Sequence, residues 1–569
     1  MTTLSPAPGV ATTMLYAPSR HLAPCDLDLS GTEAVGTLLA LRDGLPPEAL
    51  TCAARYPDAR ALEALIAARF GIEPDRVVVT AGADDALDRA CRAVLTPAHN
   101  AILTAPTFEM LPRYVALAGA SVRTARWPAG AFPTDDVIAL ADDHTALVAI
   151  VSPNNPTGAV ASIADIRRIH DAVPSALIVA DLAYVEFADA DPTADALALP
   201  RVVVVRTLSK AWGLPGLRVG YALGSTETVA WLRRAGSPFP VSSISLALGA
   251  RALESGEPTR DATVAAVRRN RGRLQGLLEV LGAAALPGQA NFVAVAGRRA
   301  RWIHDALAGF GIATRLLAAD EVDRVRITVP ADDATHARLE YAVRSALDPD
   351  AILFDLDGVL ADVSRSYREA VRLTAAKFGV SVSAADIGAR KALGHANDDW
   401  ALTAEFVASA GGRATLAEVT ESFERLYQGD GSAPALRDTE RLTVPRDWLT
   451  SLAARYPLGI VTGRPRADAE RFLARFDVRE CFRTVVARED GPLKPDAFPV
   501  ATACRTLGAA RAWMLGDTPD DIASARGAGA LGIGVVAPGD TPGPTIDRLL
   551  RRGAARVLTT LTEFDACLR

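Results

Sequence analysis

The chain contains 569 residues, of which 49% are hydrophobic and 22% charged, and it carries a formal net charge of −6 at pH 7. This length exceeds what one hydrophobic core usually serves, so we expect at least two domains. The acidic balance argues against nucleic acid or an anionic membrane as a partner, because both require a basic face.

Three further features predict a cytoplasmic protein. No apolar run is long enough to cross a bilayer. The first twenty residues have no basic segment ahead of an apolar core, so they do not resemble an export signal. The six cysteines lack the paired spacing of a disulfide framework or a metal site.

The front part of the chain has the pattern of an α/β domain. Residues 1–20 are rich in Pro, Thr and Ala and are predicted to be a flexible lead-in. From 21 to 347, apolar strands alternate with helices, and both faces of the strands are apolar, which favours a mostly parallel sheet covered by helices. The predicted strands are Val77–Thr80, Ala101–Thr104, Leu147–Val151, Leu177–Ala180 and Val202–Arg206, and the predicted helices include Asp84–Leu95 and Ile163–Ala172.

A long helical pattern from Arg260 to Leu281 follows these strands. We predict that it forms a helix between a large and a small subdomain. Arginine occurs at many of its outward positions, and such charges most often form a solvated helical face.

The segment around Lys210 carries the first candidate chemistry. Lys210 follows an apolar run, Thr207 and Ser209 precede it, and Arg218 lies in the glycine-rich stretch beyond. An amine that must react with an aldehyde cofactor has to be dry enough to lose its proton. Hydroxyl and guanidinium donors suit a cofactor phosphate. The spacing therefore favours pyridoxal phosphate, with an ordinary surface lysine as the alternative for this segment alone.

Two other predicted strands end in polar groups that suit the same cofactor. One runs into a turn with Asn155 before Pro156, and the next ends at Asp181, three residues before Tyr184. A carboxylate can keep a pyridinium nitrogen protonated, as an electron-sink cofactor requires. An amide and a phenol can donate to the oxygen on the cofactor ring. Taken singly, each of these is more often a cap or a turn residue.

Together these motifs resemble the fold-type I aminotransferases, and most closely their histidinol-phosphate aminotransferase branch, over roughly residues 20–347. The motifs are Tyr56-Pro57-Asp58, Gly82-Ala83-Asp84-Asp85, Pro106-Thr107-Phe108, Asn154-Asn155-Pro156-Thr157-Gly158, Asp181 to Tyr184, Thr207 to Lys210, Arg218, and Arg326-Ile327-Thr328-Val329.

The resemblance implies a role for each matching residue. Lys210 would bind the cofactor covalently and move the proton between substrate and cofactor, and Arg326 would bind the carboxylate of the amino acid. Asp181 would hold the pyridine nitrogen, Tyr184 and Asn155 the ring oxygen, and Phe108 the ring face. The phosphate would be held by Ala83, Asp84, Thr207, Ser209 and Arg218. Tyr56 would reach the cofactor phosphate of a neighbouring subunit, which implies a homodimer.

The chain also departs from the usual family pattern. Leu182 stands where an acidic residue is usual, Phe108 where tyrosine is more common, and Pro330 where glycine commonly follows Val329. The amino-terminal Asn-Glu-Asn-Pro type of segment is replaced by Ser30-Gly31-Thr32-Glu33-Ala34. Because that segment lies over the substrate in the family, its replacement loosens the substrate assignment.

A second domain is predicted from residue 348 to 569. A buried strand precedes Asp355-Leu356-Asp357-Gly358, and two carboxylates two residues apart beyond a strand point the same way. Asp355 can then attack a phosphoryl group while Asp357 acts as acid and base, with Mg²⁺ offsetting the charge. This motif alone is weak evidence for a phosphoryl-transfer site, because Asp and Gly are common in turns.

Three later motifs complete a resemblance to the haloacid dehalogenase superfamily of phosphohydrolases, a Rossmann-like fold with a helical cap. They are a strand that ends at Thr462, Lys494 before a helix, and a strand that ends at Asp517, with Asp521 four residues on. The resemblance implies that Thr462 and Lys494 bind the phosphoryl oxygens. It also implies that Asp355, the Asp357 carbonyl and Asp517 hold Mg²⁺, with support from Asp521. We interpret Asp520 as a solvated residue at the start of a helix.

The helical pattern between these motifs, about 365–452, predicts a cap over the second site. Its candidates for substrate contact are Arg390, Lys391, His395, Asp398 and Asp399, and a role as surface charge is at least as frequent for each.

The two resemblances together suggest a function. One family aminates phosphorylated ketones and the other removes phosphate from small molecules, and these are adjacent steps of histidine synthesis. The leading hypothesis is a fused enzyme that makes histidinol phosphate with glutamate as the amino donor and then hydrolyses it to histidinol. Such a fusion by itself indicates only production in a fixed ratio.

Four alternatives stay open. One is that the pair of activities serves a specialised pathway to another amino alcohol or an amino sugar. Others are that the front half is a decarboxylase of the threonine-phosphate type and that the back half is a phosphomutase. A non-enzymatic scaffold or sensor is disfavoured, because no expected catalytic group is missing from either half.

Overall fold

The computed structural model describes residues 8–13, 21–33, 54–318, 322–392, 398–431 and 434–568. The chain divides into two compact units. The first comprises Met1–Ser19, Leu29–Gly297 and Arg315–Arg338, and the second comprises Arg20–Asp28, Arg298–Thr314 and Leu339–Arg569.

The strands of the described residues are numbered in chain order. They are β1 Leu27–Asp28, β2 Val77–Thr80, β3 Asn100–Ala105, β4 Ser121–Arg126, β5 Thr145–Val151, β6 Leu177–Asp181, β7 Val202–Thr207, β8 Gly220–Leu223, β9 Ala284–Leu286, β10 Phe292–Ala296, β11 Ile312–Ala313, β12 Arg315–Leu317, β13 Arg324–Thr328, β14 Ala351–Phe354, β15 Ala361–Asp362, β16 Arg441–Leu442, β17 Leu458–Val461, β18 Phe482–Val486, β19 Ala512–Gly516, β20 Leu531–Val535 and β21 Val557–Leu558.

The α-helices are numbered in the same way. They are α1 Pro8–Thr12, α2 Arg60–Phe70, α3 Gly82–Val94, α4 Met110–Leu117, α5 Thr134–Ala139, α6 Ile163–Ala172, α7 Thr193–Ala196, α8 Thr226–Ala235, α9 Ser243–Ser255, α10 Glu257–Val280, α11 Arg298–Gly309, α12 Asp333–Leu347, α13 Tyr367–Lys377, α14 Ala384–Ala392, α15 Asp399–Ser409, α16 Leu416–Gln428, α17 Arg446–Ala453, α18 Arg466–Arg475, α19 Phe498–Leu507, α20 Pro519–Gly527 and α21 Pro542–Arg552.

A seven-stranded sheet forms the centre of the first unit, in the order β2-β8-β7-β6-β5-β3-β4. Strand β8 runs antiparallel to both of its neighbours, and the other pairings are parallel. Strands β5, β6 and β7 are almost entirely buried, as expected when helices cover both faces of a parallel sheet. The predicted α/β architecture is thus confirmed, and each predicted strand agrees with an observed one to within two residues at either end.

A smaller antiparallel sheet, β12-β13-β10-β9, also belongs to the first unit. The long helix α10 matches the predicted pattern, but its arginines do not all face solvent. Arg271 is buried and donates to the main-chain carbonyls of Phe187 and Ala290, at 3.2 and 2.8 Å. The expectation of a uniformly solvated face is therefore wrong at this position, because a guanidinium can be satisfied by carbonyls as well as by water.

The second unit is built on a six-stranded parallel sheet, in the order β18-β17-β14-β19-β20-β21. Strand β14 is central, with β17 on one side and β19 on the other. Because all three run in the same direction, the polar residues that follow them meet at one edge of the sheet.

The predicted cap region contains the helices α13 to α16, which leave and rejoin the sheet through the antiparallel pair β15 and β16. A fifth helix of the same stretch, α17, lies against the central sheet. Its Trp448 meets the ring of Phe354 on β14 edge to face, at a centroid distance of 6.4 Å.

Helix α11 and the end of α12 pack within the second unit. The Trp302 and Trp513 rings lie 5.1 Å apart, and their indole nitrogens donate to the carbonyls of Ala346 and Ser345. Asp305 forms an ion pair with Arg556 at 2.6 Å. These contacts give the second unit a continuous apolar core with satisfied polar edges.

Among the described residues, no helix is both long enough and apolar enough to cross a membrane. The five cysteines that the structure describes are free thiols, in agreement with the absence of a disulfide pattern in the sequence.

Candidate active sites

The first candidate site lies beyond the carboxyl ends of β5, β6 and β7, which are neighbours in the sheet. Asp181 is the last residue of β6, Lys210 follows β7, and Asn155 lies in the turn after β5. Parallel strands bring their carboxyl ends to one edge, so residues distant in sequence converge there. Burial at this edge differs, since Asp181 and Asn155 are buried and Lys210 is half-buried.

The Lys210 amine lies against two residues of this unit. Its Nζ donates to the hydroxyl of Thr32 and lies 5.3 Å from the centre of the Tyr184 ring. The hydroxyls of Thr32 and Tyr184 are 3.1 Å apart, and both residues are buried. Thr32 thus joins the segment that departs from the family pattern to the candidate nucleophile.

Asp181 is held in an unusual electrostatic state. Burial raises the pKa of its carboxyl to about 7, and the nearby Asp84 adds to this, while the Ala183 amide and the Lys210 amine act in the opposite direction. The Ala183 amide donates to the carboxyl at 3.1 Å. A buried carboxyl with little compensating positive charge fits a cationic ring nitrogen, which would lower its pKa again.

Hydroxyl and guanidinium donors lie near the start of helix α3. The Thr207 hydroxyl donates to that of Ser209 at 2.9 Å, and Arg218 donates to Ser209 at 3.4 Å and to Asp84 at 3.0 Å. A Cβ atom on Gly82 would lie 2.4 Å from the Arg218 guanidinium. The donors and the free amides of a helix start are the groups that bind phosphate.

Arg326 is buried, and its hydrogen bonds within the described residues go to an amide oxygen and a main-chain carbonyl. It donates to the Asn155 side chain and to the Ser30 carbonyl, each at 2.7 Å. Its Nε has no hydrogen-bond partner among the described residues, and burial lowers the pKa of its guanidinium. A carboxylate ligand would satisfy that donor and the charge together.

The surroundings of two other predicted residues, Phe108 and Tyr56, indicate less about a role at the first site. Phe108 is half-buried and packs beside the core on one side of the sheet. Tyr56 is 82% exposed and stacks on Phe239 at 4.8 Å. Such exposure agrees with a contact outside its own subunit, which the resemblance assigns to Tyr56.

The second candidate site lies at the ends of β14, β17 and β19, in the second unit. Asp355 follows β14, Thr462 follows β17, and Asp517 follows β19. Lys494 is buried between two carboxylates, with its Nζ at 2.9 Å from Asp355 and 2.5 Å from Asp521. The structure thus brings together the residues that four separate motifs predicted.

The carboxylates of this site are suited to a cation. One oxygen each of Asp355, Asp517 and Asp521 lies within 4.8 Å of the others. Burial raises the pKa of Asp355 to about 7 and that of Asp517 well above its usual value, and the neighbouring carboxylates contribute to both shifts. Asp517 Oδ1 is buried without a hydrogen-bond partner in the described chain. Oxygen ligands with excess negative charge are what Mg²⁺ binds.

Asp357 turns toward a residue that was not predicted. Its carboxylate forms an ion pair with Arg464, whose Nε lies 2.6 Å away. The Arg464 amide in turn donates to the Thr462 hydroxyl at 3.1 Å. Asp357 lines a small cleft together with Trp400 and Arg464, so it is accessible from that side.

The predicted substrate contacts in the cap region are engaged in ion pairs. The pairs are Arg390 with Glu405 at 2.7 Å, Lys391 with Asp399 at 2.9 Å, and Asp398 with Arg488. Asp399 also lines the cleft beside Asp357. His395 lies outside the described residues.

The interpretation of Asp520 as a solvated residue is wrong. The residue is 2% exposed, at the start of helix α20. Pro519 is the first residue of that helix, and Asp517 and Asp521 lie on either side of it in the sequence. The sequence could not show that the same turn is packed against the rest of the unit.

The sequence did not single out three polar residues at these sites. They are Thr32, Arg464 and Glu440, whose carboxylate accepts hydrogen bonds from Arg464. Thr32 had a signal, because it lies in the segment that replaces the usual amino-terminal motif. Arg464 also had one, since it is a charged residue two positions after Thr462, in the bend that follows β17. Glu440 had none, because nothing in its local sequence indicates burial.

Comparisons with known proteins support both halves. A family model for aminotransferase class I and II matches residues 48–345, and one for haloacid dehalogenase-like hydrolase matches residues 349–529. The histidinol-phosphate aminotransferase 2 of Methylococcus capsulatus is 36% identical over 276 residues, which is 46% of this chain and 74% of that protein.

Two further matches differ in what they cover. The imidazoleglycerol-phosphate dehydratase of Phytophthora nicotianae is 44% identical over 196 residues, or 33% of this chain and 43% of that protein, so this chain spans less than half of it. A histidinol-phosphate aminotransferase from Sinorhizobium meliloti, solved with pyridoxal-5'-phosphate, has 24% identity and a TM-score of 0.54, covering 60% of this chain and 99% of that structure. At 24% identity, this similarity shows the fold alone.

Proposed function

Because the chain belongs to the aminotransferase class I and II family and its carboxyl-terminal part to the haloacid dehalogenase-like hydrolases, we propose that it is a bifunctional enzyme. In this proposal, residues 21–347 transfer an amino group to a phosphorylated ketone, and residues 348–569 hydrolyse a phosphomonoester. The observation that carries the proposal is the presence, in one chain, of two separate groups of residues suited to covalent attack, one around Lys210 and one around Asp355.

The first group fits pyridoxal phosphate. Asp181 would hold the ring nitrogen, Asn155 and Tyr184 the ring oxygen, and Phe108 the ring face. The amides of Ala83 and Asp84, the hydroxyls of Thr207 and Ser209, and Arg218 would hold the phosphate. Bound pyridoxal phosphate supplies an aldehyde and a sink for the electrons of the substrate's alpha carbon.

The protein's own residues then carry out binding and proton transfer. Lys210 is the covalent attachment point, and its amine moves a proton on the substrate once released. Thr32 accepts a hydrogen bond from that amine and so orients it. Arg326 binds the substrate carboxylate, for which its unpaired Nε is available. Tyr56 reaches the site of a second subunit, so the proposal includes a homodimer.

In the second group, Asp355, the Asp357 carbonyl and Asp517, with Asp521 in support, would hold Mg²⁺, which would offset the negative charge of the site. Asp355 attacks phosphorus, the ester bond breaks, and Asp357 gives its proton to the departing oxygen. Water then attacks the aspartyl-phosphate and returns a proton to Asp357, so that phosphate leaves and Asp355 is restored. Lys494 and Thr462 bind the phosphoryl oxygens throughout.

Histidinol phosphate is the substrate that best joins the two activities. Several relatives of the front half are named histidinol-phosphate aminotransferase, and the relative from Phytophthora nicotianae carries the name of another phosphorylated imidazole enzyme. We therefore propose glutamate as the amino donor, with histidinol phosphate as the product of the first site and the substrate of the second.

Two measurements on the purified protein test the proposal. Glutamate should shift the visible absorbance of the bound cofactor in the wild-type protein and not in Lys210→Ala. Histidinol phosphate with Mg²⁺ should release phosphate, and Asp355→Asn should abolish the release. A panel of sugar phosphates and other amino alcohol phosphates serves as comparison, and faster hydrolysis of any of them would reject histidinol phosphate as the substrate.

A further inference from the structure

Arg464 is a deeply buried charged side chain at the second site, with 1% of its side chain exposed. It lies between two carboxylates. One is Asp357, and the other is Glu440, which accepts from its two terminal nitrogens at 3.1 and 3.2 Å. The planar guanidinium is enclosed by aromatic rings, with the Tyr367 ring centre at 4.9 Å and that of Phe472 at 5.4 Å.

Glu440 is itself held at the base of the helical insertion. It directly precedes β16, the strand on which the chain returns from α16. It accepts a hydrogen bond from Ser366, just before α13, at 2.8 Å, and another from Tyr427, near the end of α16, at 3.1 Å. Both carboxylate oxygens of Glu440 are therefore occupied, and its position is tied to the entry and the exit of the insertion.

We propose that Arg464 is a positioning residue for Asp357, and that Glu440 holds Arg464 in place for this purpose. The inference rests on the proposed phosphomonoester hydrolysis and adds two residues to it. Neither residue touches the phosphoryl group in this account, since each acts through the next, Glu440 on Arg464 and Arg464 on the Asp357 carboxylate.

The geometry explains why a guanidinium is needed. Asp357 follows Asp355 by two residues and precedes Gly358, whose backbone is left-handed with φ 78°. Its side chain is partly exposed to the cleft and would rotate freely without a partner. The fork of Arg464 contacts both carboxylates at once, whereas a lysine has a single ammonium and cannot span them in the same way. General acid–base catalysis requires the donor within hydrogen-bond reach of the departing oxygen.

A purely structural role is the competing explanation, and the choice of leaving group separates the two. A p-nitrophenyl ester leaves without help from an acid, whereas an alkyl ester leaves as a strongly basic alkoxide and needs a proton. Both esters then form the same aspartyl-phosphate. A positioning defect therefore affects the first step of the alkyl ester and spares the first step of the aryl ester.

The experiment compares wild-type protein with Arg464→Lys in rapid-quench assays on p-nitrophenyl phosphate and an alkyl phosphomonoester, with Mg²⁺. We expect Arg464→Lys to release the first equivalent of p-nitrophenol within about 3-fold of the wild-type rate and to turn over more slowly thereafter. The first turnover of the alkyl ester should fall by about 100-fold, within the range that general acid–base catalysis contributes. The inhibition constant of inorganic phosphate should change by less than about 3-fold.

Two further variants guard against misfolding and unrelated effects. Arg466→Lys, two residues away in an ion pair with Asp490 and half-exposed, is the matched control and should behave as the wild type. If Arg464→Lys does not fold, the double variant Arg464→Met, Glu440→Gln removes both fully buried charges together, and the charge that loses its partner, Asp357, is partly exposed to the cleft. It should show the same selectivity between the two esters.

Each possible result either supports or contradicts the positioning role of Arg464. An equal loss on both esters and in both phases would show that Arg464 supports the fold alone, and no loss on the alkyl ester would remove any role for it. Either result overturns the inference while the wild-type enzyme remains an active phosphatase. Wild-type protein that hydrolyses neither ester would instead reject the proposed hydrolysis, and the positioning role with it.

Discussion

Thr32 contacts the Lys210 amine, which is proposed to move the proton, and the Tyr184 hydroxyl, which is proposed to hold the ring oxygen of the cofactor. Thr32→Val keeps the shape of the side chain and removes its hydroxyl. A hydrogen bond to a charged group contributes about 1.5–3 kcal/mol, so the reaction of glutamate with the bound cofactor should slow by roughly 10- to 100-fold. Stopped-flow absorbance measures this rate. The exposed Thr226→Val is the control, and an unchanged rate in Thr32→Val would leave the contact without a role.

The carboxyl of Asp181 gives a pH dependence whose sign follows from its pKa. The folded pKa of about 7 exceeds the usual value of 3.8 for an aspartic acid, so the folded state binds the proton more tightly than the unfolded state. Asp181 therefore favours folding at low pH, and that contribution is lost as the pH rises from about 4 through 7.

Asp181→Asn in cofactor-free protein should accordingly gain stability relative to wild type as the pH rises. Between pH 5 and pH 8 the gain should be about 2–3 kcal/mol, and it should level off above pH 8. Thermal unfolding at a series of pH values measures it, with the exposed Asp135→Asn as control. A difference between the two proteins that does not vary with pH would contradict the raised pKa.

At the residue scale, the sequence predicted which residue types belong to each site, because the motifs have a fixed order and spacing. It did not predict their partners. Arg464 and Glu440 are 24 positions apart and meet only in the folded unit, and the burial of Asp520 depends on packing that its local sequence does not record.

At the scale of elements, the turn after β14 depends on the absence of a side chain at Gly358. The backbone there has φ 78°, and a Cβ atom would lie 2.3 Å from an oxygen of Asp517. Gly379 has nearly the same backbone, φ 79°, with nothing within 4 Å of a Cβ atom. Alanine at either position would therefore adopt an unfavourable left-handed backbone, but only in place of Gly358 would its Cβ atom collide with a neighbouring side chain.

Gly358→Ala should therefore weaken the response to Mg²⁺, and Gly379→Ala should not. Both substitutions should cost about 1–2 kcal/mol of stability through the backbone. In Gly358→Ala alone, the Mg²⁺ concentration for half-maximal phosphate release should rise by about 10-fold or more, because Asp517 must move. Phosphate release against Mg²⁺ concentration tests this, and equal Mg²⁺ responses in the two variants would show that Asp517 is not a ligand.

The strands of the first unit were predicted well because they are apolar on both faces and bounded by turns. Helix α10 was predicted in extent but not in exposure. Periodicity shows that a helix forms and which side is more polar, whereas the burial of Arg271 depends on the carbonyls of Phe187 and Ala290, which come from other parts of the chain.

At the scale of the whole molecule, the two proposed activities should be separable by single substitutions. Lys210→Ala should abolish transamination and leave phosphate release within about 2-fold of wild type, and Asp355→Asn should do the reverse. Lys210 and Asp355 lie in different compact units, and the two groups of residues proposed around them have no member in common. Assays of both activities on each variant measure this. Loss of both activities in either variant would contradict two independent sites.

The second compact unit also includes residues that the family match assigns to the aminotransferase. Arg298–Thr314 and Leu339–Leu347 lie within the aminotransferase match or just beyond its end, yet they pack with the sheet of the second unit through Trp302 and Trp513. The predicted domain boundary at 347 stays a proposal, because a family match reflects sequence similarity, whereas a compact unit is defined by contacts within the folded chain.

The amino-acid sequence by itself determined the α/β class, the two families and the residues proposed for attack, because strand patterning and motif spacing are local properties of the chain. The tertiary structure alone decided which side chains meet: Thr32 with Lys210, Arg464 with Glu440 and Asp357, and helix α11 with the sheet of the second unit. The physical reason is that burial and ion pairing depend on residues far apart in sequence, whose proximity is set only when the strands assemble into sheets.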